Sequence, residues 1–130
     1  MYKRQVLVTA VADGGPDGRR VRQRLRGGEL GGPGLVYIEV LSALRRHVRH
    51  GHLTEPQADT AVADLLDLPL HVFPTERLMR QCWQLRYNIT PYDACYVALA
   101  AALDCVLLTA DSKLARAAET ICKIETMTAS

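Results

Sequence analysis

A chain of 130 residues, 48% hydrophobic and 23% charged, has room for one hydrophobic core and not two. That balance excludes a disordered tail, a collagen-like repeat and a fibrous coil, and no apolar run approaches the roughly 18–20 residues of a membrane-spanning helix. The net charge of +2 hides an asymmetry: residues 1–52 carry net +6 and residues 53–130 net −4, which suits a polyanionic partner and equally suits helix surfaces of uneven sign. The first residues lack a signal-peptide pattern, so a cytoplasmic protein is expected. Cys82, Cys95, Cys105 and Cys122 show no CxxC spacing and lie within apolar patterns, which predicts buried reduced thiols rather than disulfides or a zinc site.

In chain order, Val6–Val11 reads as a strand running into a turn at Asp13-Gly14-Gly15-Pro16. Residues Asp17–Arg26 read as a polar helix ended by Gly27-Gly28, and Leu35-Val36-Tyr37 as a short buried strand entered from Gly31-Gly32-Pro33-Gly34. A helix follows over Ile38–Arg49, with Val40, Leu41, Leu44 and Val48 on one face. Thr54-Glu55-Pro56-Gln57 carries a Thr cap, an early Pro and a capping-box Gln, and opens a helix to about Leu68. Leu70–Phe73 is a strand, and Thr75 caps a helix through Tyr87. Thr90-Pro91-Tyr92-Asp93 repeats the start signal for a helix to Leu103. Cys105–Thr109 is the most strand-like run, with a short helix over Lys113–Glu119 and an edge strand over Lys123–Met127 behind it. Apolar strands alternating with helices predict an α/β domain, a mostly parallel sheet with helices on both faces, whose ligands gather beyond the carboxyl ends of the strands.

Three acids fall at that edge. Glu39 follows the strand Leu35–Tyr37 in the first turn of the next helix, Asp93 lies in the first turn of the helix capped by Thr90, and Asp111 lies two residues beyond Thr109. Clustered carboxylates repel one another unless a cation sits among them, and an all-oxygen shell suits Mg²⁺ or Mn²⁺. Taken singly, each acid also has a structural role open to it: a capping box at Asp93, a helix cap at Asp111, a first-turn dipole partner at Glu39.

The words around these acids carry a family resemblance. Asn88-Ile89-Thr90-Pro91-Tyr92-Asp93-Ala94-Cys95-Tyr96-Val97-Ala98-Leu99-Ala100 resembles the T/S-x-Y-D-A-x-Y-V-A-L-A signature of PIN-domain ribonucleases. Leu107-Leu108-Thr109-Ala110-Asp111-Ser112-Lys113-Leu114 resembles their L-L-T-x-D-x-x-L, and Glu39-Val40 through Leu44-Arg45-Arg46 their E-V-x-x-x-L-R-R. Order and spacing agree along essentially the whole chain, which looks like the VapC-type toxins of VapBC toxin–antitoxin pairs. The resemblance implies a PIN-like three-layer sandwich and a metal-dependent endoribonuclease using Mg²⁺ or Mn²⁺, with structured RNA (tRNA or rRNA) as substrate. It further implies homodimerisation and a VapB-like antitoxin that covers the acidic groove. Residue by residue, Glu39, Asp93 and Asp111 match metal-site acids, and Thr109 matches the hydroxyl residue supporting the last of them.

One departure stands out. The family's first strand has the form V-V-D-x-S-x-L-V, and an ungapped alignment on Val6-Leu7-Val8 puts Lys3 at the Asp and Gln5 at the Ser. A lysine there would repel a cation and pair with Asp93 or Asp111, which implies an altered chain start or an impaired site. The alternative reading is therefore a PIN-fold binding module for antitoxin or RNA without catalysis. A receiver-like phospho-acceptor domain needs an acidic pair after the first strand and a later lysine, neither of which the sequence places.

Two basic runs are candidates for phosphate contact: Arg45, Arg46 and Arg49 at a helix end, and Arg19, Arg20, Arg22, Arg24 and Arg26 earlier in the chain. A cationic helix C-terminus is also favourable in itself. His47, His50 and His52 lack a fourth ligand for zinc. Trp83 and Tyr87, four apart, read as core or interface in preference to a base-stacking platform.

Overall fold

The structure, a computed structural model, describes residues 3–7, 28–67, 69–109 and 111–126; for 3–7 and 28–30 it describes the backbone alone. The elements are β1 (Lys3–Leu7), β2 (Gly28–Pro33), α1 (Leu35–Arg49), α2 (Glu55–Asp67), β3 (Leu70–Phe73), a 3₁₀ turn (Glu76–Leu78), α3 (Met79–Gln84), α4 (Pro91–Leu103), β4 (Val106–Thr109), α5 (Ser112–Ala118) and β5 (Lys123–Thr126). The five strands form one sheet in the order β3-β2-β1-β4-β5, and every pairing is parallel. The order steps outward from β1 to β3, then jumps back across β1 to β4. With right-handed crossovers, that reversal puts helices on both faces, the three-layer α/β arrangement expected.

Local chemistry explains the elements. At the start of α2, Thr54 and Gln57 bond reciprocally: the Thr54 N–H donates to Gln57 Oε1 at 2.9 Å and the Gln57 N–H to Thr54 Oγ1 at 3.2 Å. Helix α4 is buried at every residue from Ala94 to Ala100, because it lies over β1, β2 and β4 with α3 against its side, and its small alanines let the sheet approach. Its C-cap Asp104 takes a left-handed conformation, φ 51°, which turns the chain directly into β4.

The main departure from the sequence expectation is at β2. Leu35-Val36-Tyr37 is the first turn of α1, not a strand, and the strand is the glycine-rich Gly28–Pro33 before it. Glycine is required there by a close approach: a Cβ on Gly31 would stand 2.7 Å from Cε2 of Phe73 on β3. Pro33 closes the strand, paired with Phe73 of β3 at the last position of β2, where a residue without an N–H is best tolerated. The helix expected from Thr75 through Tyr87 is broken into the 3₁₀ turn and the six residues of α3, and Thr75 makes no side-chain cap bond. β1 begins three residues earlier than expected. Val8–Val11, the Asp17–Arg26 helix with its arginines, and Met127 lie outside the described residues. The cysteines are free thiols; Cys82, Cys95 and Cys105 are buried and Cys122 half-buried.

Candidate active site

All strands run the same way, so the N-terminal ends of α1 and α4 and the carboxyl end of β4 come to one edge of the sheet. Asp93 is the third residue of α4. Its N–H donates to Oγ1 of the N-cap Thr90 at 3.2 Å, with Pro91 as the first helical residue, so the cap that starts the helix also fixes where Asp93 begins. Asp93 is half-buried.

Glu39 comes to the same place from α1. Because α1 begins at Leu35, Glu39 lies in its second turn and not the first, where the helix dipole is a weak reason for an acid. Its partner is Tyr96 on α4. The phenolic O–H donates to Glu39 Oε1 at 2.5 Å across 57 residues of sequence, and the Tyr96 side chain is fully buried. Burial first, then the bond to Glu39 and its charge, push the phenol above its ordinary range, and Asp93 adds to the same effect. Tyr96 therefore stays a proton donor at every physiological pH, and both carboxylates act on it. Cys95, beside it, is pushed up to about 11 by burial, then by Cys82 and by the charge of Glu39.

Asp111 and Thr109 form a second station at the end of β4. Thr109 is fully buried, and its Oγ1 accepts from the Asp111 N–H at 2.9 Å. Asp111 is the N-cap of α5: its Oδ1 accepts from the N–H groups of Lys113 at 2.9 Å and Leu114 at 3.2 Å. The capping role foreseen for Asp111 is real, and it falls on one oxygen of the two.

Glu39 and Asp93 are thus gathered around Tyr96, with Asp111 held by Thr109 at the same sheet edge. Among the described residues, no three His, Cys, Asp or Glu side chains stand as a formed metal cage. The donors are all oxygen, however, and a hard cation that keeps several waters needs only one or two carboxylates at once. In chemical type the set fits such an ion.

Lys3 is not placed at this edge by the backbone. It pairs with Gly28 at the amino end of β1, four steps before Leu7, which pairs with Leu108. That is roughly 16 Å back from the level of Thr109 at 3.3 Å per residue. The alignment that set Lys3 among the acids therefore disagrees with the register. Arg45, Arg46 and Arg49 are exposed and lie about 9–15 Å along α1 from Glu39 at 1.5 Å per residue, toward the other edge. Tyr96 stands in the Thr90–Ala100 motif without an evident role; its signal there is the spacing, three residues after Asp93 on one helical face.

The sequence matches the PIN domain family over residues 4–120. It is 42% identical over 120 residues to Ribonuclease VapC1 of Mycobacterium tuberculosis, covering 92% of this chain and 90% of that one. With Ribonuclease VapC9 of the same organism it shares 36% over 105 residues, covering 81% and 83%. Among solved structures, PAE2754 from Pyrobaculum aerophilum has a TM-score of 0.68 at 20% identity, covering 95% of this chain and 89% of that one. VapBC-5 of M. tuberculosis, from the VapBC family of toxin–antitoxin systems, has 0.60 at 19%, covering 97% and 98%; at such identity these two likenesses concern the fold. The chain belongs to the PIN-domain family, among its VapC-type members.

Proposed function

We propose that this protein is an endoribonuclease toxin that hydrolyses RNA phosphodiester bonds with Mg²⁺ or Mn²⁺ and is held inactive by a VapB-type antitoxin. The observation that carries the reading is the Tyr96–Glu39 bond, which joins two distant helices and keeps a carboxylate beside Asp93 at the ligand-binding edge of the sheet. Identity of 42% to a named ribonuclease across nearly the full length supports the activity.

Glu39, Asp93 and Asp111 would hold the ion. Bound there, it supplies Lewis-acid polarisation of the scissile phosphate and a water of lowered pKa. Thr109 keeps Asp111 in place through the Asp111 N–H, and Tyr96 orients Glu39 by donating to one oxygen, as the partners of metal ligands commonly do. One carboxylate of the set would accept the proton of the attacking water. Arg45, Arg46 and Arg49, well along α1, would meet phosphates of the same RNA away from the reacting one. The RNA is structured, tRNA or rRNA, and the working unit is a homodimer.

The test is cleavage of a panel of tRNA and rRNA fragments with Mn²⁺, Mg²⁺ or EDTA, using wild type, Glu39→Gln and Asp93→Asn. Cleavage that needs the divalent ion and falls at least 100-fold in both variants is expected. Equal cleavage in EDTA, or in Asp93→Asn, refutes the proposal. Lys3→Asp belongs in the same panel: the backbone register predicts no gain from it, whereas the alignment predicts a large one.

A further inference from the structure

Trp83, Arg86 and Tyr87 form an ordered, solvent-facing group that the reaction above leaves unused. Trp83 is 65% exposed and Tyr87 79% exposed, so neither belongs to the core. Between them lies the Arg86 guanidinium, 4.3 Å from the Trp83 ring centroid and 4.4 Å from that of Tyr87. It is held by two further bonds, Nη1 to the Trp83 carbonyl at 2.8 Å and Nη2 to Tyr87 Oη at 2.8 Å. A guanidinium has five N–H donors, so the two bonds fix its plane and still leave donors for a phosphate. Surface side chains this large usually sample many rotamers; here three are locked together with ring surface facing water.

Their position is specific. Cys82, the neighbour of Trp83, lies against Cys95 of α4, and Cys95 feels Glu39. Tyr87 is six residues from Asp93, which bounds their separation at about 20 Å of extended chain, a span of a few nucleotides. The segment from Glu76 to Tyr92 carries Arg77, Arg80 and Arg86 against the single acid Glu76, and Tyr92, also exposed at 62%, continues it toward Asp93. Aromatic faces interleaved with arginines are the chemistry that grips unpaired bases and their phosphates. Aromatic rings beside arginines also serve protein contacts, and RNA affinity and oligomeric state separate the two.

The geometry points to Trp83, Arg86 and Tyr87 as a stacking clamp for unpaired bases of RNA, a few nucleotides from the cleaved bond. This rests on the ribonuclease reading, and sets where single-stranded substrate enters that site. Because Trp83 is the only tryptophan, its fluorescence reports on the clamp directly. The full chain is titrated in EDTA with a 12-nucleotide single-stranded RNA of mixed sequence and, separately, with that RNA annealed to its complement. Binding is read in parallel by anisotropy of an end label. Expected are quenching of Trp83 by the single strand and little by the duplex, and affinity roughly 5- to 150-fold weaker in Trp83→Ala, the range for one lost base stack. Trp83→Phe should recover most of the affinity, while Leu66→Ala, an exposed apolar residue on α2, should bind like wild type. Single-strand binding without quenching, with unchanged affinity in Trp83→Ala, overturns the clamp while leaving the nuclease reading intact. So does a shift from dimer to monomer in Trp83→Ala by sedimentation at unchanged RNA affinity, which makes the patch a subunit contact. Failure of wild type to bind any RNA sinks both.

Discussion

Tyr96→Phe removes one oxygen from a fully buried ring and leaves the packing otherwise intact, so its effect isolates the bond to Glu39. A hydrogen bond to a charged group contributes about 1.5–3 kcal/mol. Glu39 is half-buried and regains some water when the donor is lost, which favours the lower end. At about 2.1 cal/mol/K per residue, a 130-residue chain has an unfolding entropy near 0.27 kcal/mol/K. The expected loss is therefore roughly 5–8 °C in Tm, taking 1.5–2 kcal/mol, measured by circular dichroism at pH 7 in EDTA so that metal binding plays no part. The same substitution frees Glu39 to rotate, and Mn²⁺ affinity by titration calorimetry should fall about 10- to 100-fold, the usual cost of losing a partner that orients a ligand. A Tm within 1 °C of wild type together with unchanged Mn²⁺ affinity would refute the reasoning, because the bond would then contribute to neither folding nor the site.

Thr90→Ala deletes the cap of α4 and should cost about 1 kcal/mol in urea unfolding, with Thr90→Ser restoring it; equal stability of the alanine variant counts against the cap. Thr109→Val keeps the buried shape but strands the Asp111 N–H, so a loss of roughly 1–3 kcal/mol and slower RNA cleavage are expected together, and a variant with wild-type cleavage would show that Asp111 needs no such support. The fold holds the Cys95 proton up to about pH 11 whereas an unstructured thiol releases it near 9. The stabilisation is full below pH 9 and is lost as pH rises toward 11. Urea midpoints at pH 8 and pH 10.5 should accordingly diverge more for wild type than for Cys95→Ala; parallel shifts would reject that origin.

Much of the architecture was legible because its signals are local. The Thr54–Gln57 and Thr90–Pro91 starts announce α2 and α4 within four residues each, and the apolar run before Thr109 can only be a buried strand. β2 was misread because its logic is not local: Gly31 is there to admit Phe73 from a strand forty residues later, and a glycine pair beside a proline looks like a loop until that neighbour is known. The acids were legible as positions on an edge. How they are held was not, since the Tyr96 hydroxyl meets Glu39 only after two helices cross, and spacing along one chain carries no record of that meeting. The size and four-residue spacing of Trp83 and Tyr87 suit a core or an interface; their exposure excludes the core, and the Arg86 guanidinium between them lies off that spacing.

The register of β1 sets a timetable for synthesis. Gln5 lies beside Val106, so the central strand waits for a neighbour 101 residues downstream, among the most non-local pairings a domain of this length permits. On the ribosome, β1 can complete its surroundings only once β4 has emerged. The β4 end that presents Asp111 is made in that same later stretch, so Glu39, Asp93 and Asp111 can share one sheet edge only after β4 has joined β1.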